Sequence, residues 1–459
     1  MASKYDFFED FFDLISFKEQ AKRKARLNRF ANPIQKFIYA EISSGIFIIT
    51  AVIFALIMAN SPLDNFYYDF VHLKIKIAIG SNMLAGDLHY WINDAAMVIF
   101  FFLVGTEIKR EVLVGELADK KSLPVPLLGA LGGMIVPVLI FLIILDDPAA
   151  RSGWGIPMAT DIAIALGAMA LLGKRVPTGL KVILLAVAIV DDIGSILVIA
   201  LFYTETISLI YLLAVISCLA LIALCNYIGI RSVLFYIFLG MIAWICASQS
   251  GVHPTILGVI LGFMTPWKSW YPTKSFPEIA NKLLLRINKN LEDSKEDTDV
   301  EKAEQDLLAM SNIASESVSP LHRIETFLLP WSAFLIVPIF AFTNAGVYIG
   351  EGALSDALSS SLTYAIAFGL LFGKPLGITI GVWLAIKSGA RFPRGVNYTN
   401  VFGMGMIAGI GFTVALFITE LAYVDELFLR DAKMGILIAS FLAAIFGYLM
   451  LRISSKIAE

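Results

Sequence analysis

The 459 residues carry 35 Lys and Arg against 38 Asp and Glu, a net charge of −3, while 58% are hydrophobic and the mean hydropathy is +0.78. Apolar runs of about 20 residues recur along the chain, which excludes a water-soluble globular enzyme and describes an integral membrane protein. No nucleic-acid partner is expected, and Cys218, Cys225 and Cys246, lying in or at the ends of apolar runs without CxxC spacing, offer neither a metal site nor a disulfide framework.

Residues 1–40 form an N-terminal extension whose stretch FFEDFFDLISFKEQAKRKARLNRF alternates aromatic pairs with acids and then turns strongly basic. Two readings fit it: an amphipathic helix on an anionic membrane surface, or a disordered basic tail. It does not read as a cleavable signal, because the first membrane-length run starts only near Glu41. From there, apolar runs predict twelve spans, at 41–60, 91–113, 123–145, 155–173, 177–203, 206–225, 232–246, 251–266, 327–349, 362–386, 400–422 and 433–451. Between the first two, LKIKIAI alternates with a period of two and meets the turn signal Gly80-Ser81-Asn82. A short β-hairpin is expected there, within 71–90, with edges free to meet a second subunit.

Spans 1–8 fill 41–266, a charged insert containing NKNLEDSKEDTDVEKAEQD occupies 267–326, spans 9–12 fill 327–451, and 452–459 is a tail. The insert reads as a helical or partly disordered connector. Alternate loops hold Lys109, Arg110, Lys120 and Lys121, then Lys174, Arg175 and Lys181, then Arg231, then Lys387, Arg391 and Arg394. The opposite set holds only Lys74, Lys76, Arg151, Arg430 and Lys433, so both termini, the insert and the tail are placed in the cytoplasm and the hairpin outside.

A charge at a helix centre costs about 2.5–3.5 kcal/mol on insertion scales, so mid-span charges are functional candidates. Four qualify: Asp161 in MATDIAIALG, Asp191 and Asp192 in IVDDIGS, and Lys374 in LLFGKPLGI. Neighbouring helical residues point about 100° apart, so Asp191 and Asp192 cannot both face one ligand squarely. A lone acid can be half of a packing salt bridge with Lys374, but that leaves the second acid unexplained. Two carboxylates forced together in low dielectric repel unless a proton or a cation joins them, which makes the pair a competition site between the two. Hard oxygen ligands suit small hard cations, and Thr160 adds a hydroxyl or carbonyl oxygen beside them. Pro157 and Gly167 in the fourth span, and Gly403, Gly405, Gly409 and Gly411 in the eleventh, serve either close packing or unwinding. In the second case Asp161 and Lys374 carry the two signs that broken helix ends need.

With these residues stand SSGIFIITAVIFALIMANS, WINDAAMVIFFFLVGTEIKREVLVGEL, LGGMIVPVL, IPMATDIAIALGAMALLGKRVP, LKVILLAVAIVDDIGSILVIALFYT, SGVHPTILGVILGF, PIFAFTNAGV, GKPLGI and GIGFT. Together they resemble the NhaA-type sodium/proton antiporters of bacterial inner membranes, across nearly all the spans. The resemblance implies an all-α membrane fold of inverted-topology repeats, with spans 4 and 11 unwound and crossing, which is the family's own place among inverted-repeat transporters. It implies paired ion- and proton-binding aspartates at Asp191 and Asp192, Asp192 ahead of Asp191 as direct ligand of a transient Na+ or Li+, with Thr160 alongside. Asp161 and Lys374 match the residues that compensate the crossed helices, Lys374 also as a partner of the first aspartate and a proton carrier. Glu107, Arg110, Glu111, Glu325 and His253 match residues linked to pH response. From the residues alone, Glu107, Arg110 and Glu111 read equally as a helix-end ion network, and His253 as a satisfied structural histidine. The hairpin resembles the family's dimer contact, so a homodimer in contact with membrane lipid is implied.

The function implied is export of Na+ and Li+ against inward H+, two protons per sodium, rising at alkaline pH, in an inner membrane and with no cofactor. GLLFGKP is no Walker loop, since the spacing is wrong and Pro follows the Lys. Two rivals stand beside it. A sodium-coupled symporter would need solute-binding polar or aromatic groups at the midplane, where mainly Gly and aliphatic residues are found. An intramembrane aspartyl protease would need two acids flanking a scissile bond, for which only Asp161 with Asp191 is available, and its GxGD motif is absent. The departures from the family are the leader, the enlarged insert and Glu420, which reads as a solvated acid at a helix end.

Overall fold

The computed structural model describes residues 41–454 apart from 80–81, 119–122, 205–206, 231–232, 293–296, 351 and 393–394. The leader, the hairpin tip at Gly80 and Ser81, Lys120, Lys121, Arg231, Arg394 and the tail end 455–459 lie outside these residues. The principal helices in chain order are α1 (Glu41–Ala59), α2 (Asp64–Val71), α3 (Met97–Val114), α4 (Pro124–Ile144), α5 (Ile162–Leu171), α6 (Thr178–Phe202) and α7 (Leu209–Ile228). They continue with α8 (Val233–Ser248), α9 (Pro254–Met264), α10 (Phe276–Glu292), α11 (Asp297–Glu316), α12 (Pro320–Trp331), α13 (Val337–Ala345) and α14 (Ala353–Ser359). The last are α15 (Ser361–Phe368), α16 (Lys374–Lys387), α17 (Tyr398–Ala408), α18 (Phe412–Ala422) and α19 (Glu426–Ser454).

Between α2 and α3, strands β1 (Lys74–Ile79) and β2 (Asn82–Asp87) pair antiparallel, Lys74 opposite Asp87. Asp87 then caps the next turn by accepting from Tyr90 N at 2.8 Å and meets His72 Nδ1 at 3.0 Å. By length and composition six helices of the described residues suit a membrane crossing, or nine when each of three bent pairs counts as one. Their outer faces fit that reading, since Tyr227 is 91% and Ile143 80% exposed, surface that water would penalise and hydrocarbon would not. The first bent pair is α1 with α2, turning by 120°. The others interrupt the fourth and eleventh expected spans, where the 3₁₀ segment Pro148–Met158 meets α5 and α17 meets α18, each at 49°.

Glycines bring the central helices together. A Cβ on Gly132 of α4 would lie 2.1 Å from the Gly377 carbonyl oxygen of α16, and one on Gly381 would lie 1.9 Å from Leu128 O, so these backbones touch. On α3 and α9 the same holds for Gly105 against Val259 O, at 2.4 Å, and Gly262 against Phe102 O, at 2.2 Å. Helix α1 runs alongside α12 and α13 in the same direction, with Phe47 stacked edge-on to Phe334 and Phe54 packed on Phe342.

Three π-helical turns, Trp91–Ala96, Ser332–Ile336 and Gly369–Gly373, are features that hydropathy does not reveal. Helices α12 and α19 begin about two turns before their apolar runs. In α12 Ser319 caps through His322 N at 3.3 Å with Pro320 in the first turn, and in α19 the early charges are paired, Arg430 with Asp431 and Lys433 with Glu420.

Candidate ion-binding site

The two broken spans meet at their breaks. Ala159, Thr160 and Asp161 leave helical geometry, as do the residues around Ile410, and each run then satisfies the other. Asp161 N donates to Ile410 O at 2.7 Å, and the Thr160 hydroxyl lies 3.0 Å from Ala408 O. Asp161 sits over two helix starts at once. Its Oδ1 accepts from Ile164 N at 3.1 Å in α5, and its Oδ2 accepts from Thr413 N at 3.1 Å and Thr413 Oγ1 at 2.5 Å in α18. Free N–H groups and the positive dipole end favour a carboxylate at both places, so one acid compensates both half-helices.

Helix α6 passes the breaks with Asp191 and Asp192 at its middle. Asp191 is fully buried, and its Oδ2 accepts from Lys374 Nζ at 2.6 Å, a lysine likewise 0% exposed. Thr160 Oγ1 stands 3.0 Å from the same Oδ2, and with one hydroxyl proton it donates to Asp191 or to Ala408 O but not to both. Asp191 Oδ1 and Asp192 Oδ1 are buried without a hydrogen-bond partner. Lys374 opens α16 directly after the π turn Gly369–Gly373, and its stem runs along α4, where a Cβ on Gly133 would stand 3.8 Å from Lys374 Cδ. The site thus gathers Asp161, Asp191, Asp192, Thr160 and Lys374. Of the two places expected for Lys374, the unwound carbonyls and the first aspartate, its ammonium is on Asp191, while the carbonyls of Ala408 and Ile410 are met by Thr160 and by Asp161 N. Two neighbouring carboxylates, one ammonium held on Asp191 and an unmatched oxygen on each acid form a site that a proton or a small hard cation completes.

The remaining candidates divide between two ends. Arg110 bonds Glu325 and lies 3.4 Å from Glu107, and the Glu111 carboxylate folds against Gly115, where a Cβ would meet it at 2.2 Å. His253 is elsewhere, at the start of α9, with Nδ1 2.8 Å from Thr255 Oγ1, Nε2 3.4 Å from Asp94 Oδ1 and its ring edge-on to Phe417. Asp94 and Glu107 are thirteen residues apart on one continuous helical run, so about 20 Å separates His253 from the Arg110 group. No hydrogen bond between described residues joins Asp161 to Asp191, as a protease dyad would require.

Glu420 departs from expectation. Rather than a solvated acid it is 13% exposed, held by Lys433 Nζ at 2.6 Å and 3.5 Å from His89 Nε2, because α18 and α19 bring their ends together across a short turn. His89 in turn meets Asn344 at 2.9 Å, and Asn344 bonds Asn93 at 3.0 Å. Sequence reasoning also passed over Thr413, whose place two residues after Gly411 in GIGFT was the available signal.

The Na+/H+ antiporter 1 family model matches residues 35–451. The chain is 42% identical over 431 residues to the Na(+)/H(+) antiporter NhaA of Oleidesulfovibrio alaskensis, covering 93% of this chain and 95% of that one. It is 42% identical over 433 residues to the Na(+)/H(+) antiporter NhaA 2 of Sorangium cellulosum, covering 93% and 91%. To the Na(+)/H(+) antiporter NhaA of Helicobacter pylori strain G27 it is 39% identical over 432 residues, covering 94% and 97%. A match over nearly the whole length, on a chain whose buried charges gather at two broken helices, places it in one family: the chain belongs to the Na+/H+ antiporters of the NhaA type.

Proposed function

We propose that this membrane transporter, which is not an enzyme, exchanges cytoplasmic Na+, and Li+, for external H+ by alternating access to the Asp191 and Asp192 pair. The observation that carries the reading is the pairing of Asp191 with Lys374 in a fully buried site where Asp191 Oδ1 and Asp192 Oδ1 have no partner. At alkaline cytoplasmic pH the pair gives up protons and takes a cation, the helices carrying the breaks shift, and outside protons displace the ion. Asp192 is the first cation ligand with Thr160 beside it, Asp161 holds the half-helices, and Lys374 shares the proton traffic of Asp191. With two protons entering per sodium, outward-positive potential speeds sodium export. The reading includes twelve crossings in inverted repeats, spans 4 and 11 crossing at their breaks, both termini cytoplasmic, an inner-membrane location, and a homodimer joined through the hairpin. Arg110, Glu107, Glu111 and Glu325 on one side, and His253 on the other, are the proposed pH-responsive groups.

The test uses everted vesicles from a host without its own antiporters, energised to an acid interior and followed with a ΔpH dye while NaCl, LiCl or KCl is added across a pH series. The expected result is prompt loss of the gradient with Na+ and Li+, stronger at higher pH, faster under an interior-positive potential, and absent in Asp192→Asn. A well-expressed wild-type chain without a cation response would remove the antiport reading, and a rate indifferent to potential would remove the stoichiometry.

A further inference from the structure

Three buried oxygens within five residues of α6 have no hydrogen-bond partner: Asp191 Oδ1, Asp192 Oδ1 and Ser195 Oγ. Ser195 is 2% exposed and stands four residues after Asp191 and three after Asp192, so it shares a helix face with both, at Cβ separations of about 5–6 Å. A serine within a helix normally satisfies its hydroxyl on the carbonyl three or four residues back, as Ser217 does on Leu213 O at 2.7 Å and Ser248 on Ile245 O at 2.9 Å. Ser195 makes no such bond, and a buried hydroxyl left unmatched is costly unless a ligand completes it.

Its surroundings direct it to the site. On the stripe formed by residues 191, 195 and 198, Asp191 touches Thr160, and Val198 lies by Gly155, where a Cβ would come within 3.2 Å of Val198 Cγ1. Ser195 therefore faces the run that leads into the first break. Gly194, one position earlier, packs chiefly on Met134 of α4, whose Sδ would stand 2.2 Å from an added Cβ, with Met158 Cε at 3.7 Å.

We propose that Ser195 Oγ is a further ligand of the transported cation, set one helical turn from Asp191 on the side toward the end of α6, and that it tunes affinity between Na+ and Li+. The proposal rests on the antiport reading. A hydroxyl is a hard, neutral oxygen, so it adds to the coordination of a small cation stripped of water without changing the charge balance of the carboxylates.

The test measures apparent KM for Na+ and Li+ at several pH values in wild type, Ser195→Ala and Ser195→Thr, with 22Na+ binding to each purified protein. The alanine variant is smaller and a better helix former, so it folds, and its thermal unfolding checks this. The expected result is a rise of roughly fivefold in KM for Na+ in Ser195→Ala, the size of one lost polar contact, with a changed Na+ to Li+ ratio and a wild-type pH profile. Ser195→Thr, which keeps the hydroxyl, stays near wild type. Wild-type exchange alongside unchanged KM values and ratio in Ser195→Ala overturns the proposal and leaves antiport standing. A loss confined to folded yield, with KM and 22Na+ affinity unaltered, assigns Ser195 to packing and also overturns it. A wild-type protein that exchanges no cation removes both.

Discussion

At the scale of single residues the pair Lys374 and Asp191 decides most. Both side chains are fully buried, 2.6 Å apart, and removing one partner leaves an uncompensated charge, whereas replacing both with neutral groups need not destabilise. Lys374→Met is therefore expected to lower stability by about 3 kcal/mol, with Asp191→Asn combined with Lys374→Met recovering most of the loss. Thermal unfolding of the detergent-purified variants measures this, and a double variant as unstable as the single one would show that the lysine serves packing. Neither variant should exchange cations, which separates the stability of the pair from its use. The same contrast explains what the sequence revealed at this scale. Asp161, Asp191, Asp192 and Lys374 were visible because charge within a long apolar run has few structural explanations. Glu420 and Ser195 were not, because an acid near a helix end and a serine after a glycine are ordinary locally. Only the tertiary partner of the first, Lys433, and the missing partner of the second distinguish them.

At the scale of elements, the glycines do both things that hydropathy left open. Gly405 packs against Pro375, where a Cβ would meet its Cα at 2.7 Å, while Gly409 lies at the end of α17 and would clash with Leu370 O at 2.5 Å. Most helix positions were legible from the apolar runs to within a few residues, since a membrane fixes the length of such a run, while the number suited to a crossing is six to nine among the described residues. The π turn ahead of Lys374 was not, because nothing in GLLFG differs from an ordinary helical stretch until its neighbours are in place. Gly373, Gly377 and Gly381 repeat every four residues on the face that α16 and its preceding turn give to α4. A methyl at Gly377 would fall 2.1 Å from Gly132 O, a backbone atom that cannot move alone, so Gly377→Ala is expected to cost about 1–3 kcal/mol and to shift Lys374 less than one turn away. Lower unfolding temperature together with a raised apparent KM for Na+ is the expected pattern. Gly240→Ala, whose added carbon finds Leu261 Cδ1 at an ordinary 3.7 Å, should leave both unchanged. Equal behaviour of the two variants would contradict the backbone contact.

For the whole molecule, the charged insert poses the remaining question, since it adjoins the Arg110 and Glu325 group in sequence. Its two helices close on each other: Ala280, Leu283 and Ile287 of α10 and Ala303 of α11 are buried, and Arg286 reaches Asp306 at 3.2 Å. Its ends also meet at the base, where Trp270 N donates to Glu316 O at 3.1 Å. One step nearer the membrane, Leu321 N donates to Pro266 O at 3.1 Å, and Arg323 of α12 donates to Ser315 O at 3.1 Å and Ser315 Oγ at 2.8 Å, so the start of α12 is fixed by Pro266 and by the last turn of α11. Glu325 follows from that start, and Arg110 holds it from α3. Replacing 272–314 with a short Gly and Ser linker removes the paired helices, keeps Ser315 for Arg323, and joins ends already in contact, a closure whose entropy cost is small. The expected protein folds, exchanges Na+ with the wild-type apparent KM, and keeps the wild-type pH profile in everted vesicles. A shifted profile at intact KM would instead tie α10 and α11 to the Glu325 group, and the proposed pH-responsive unit would then extend from the membrane into the insert.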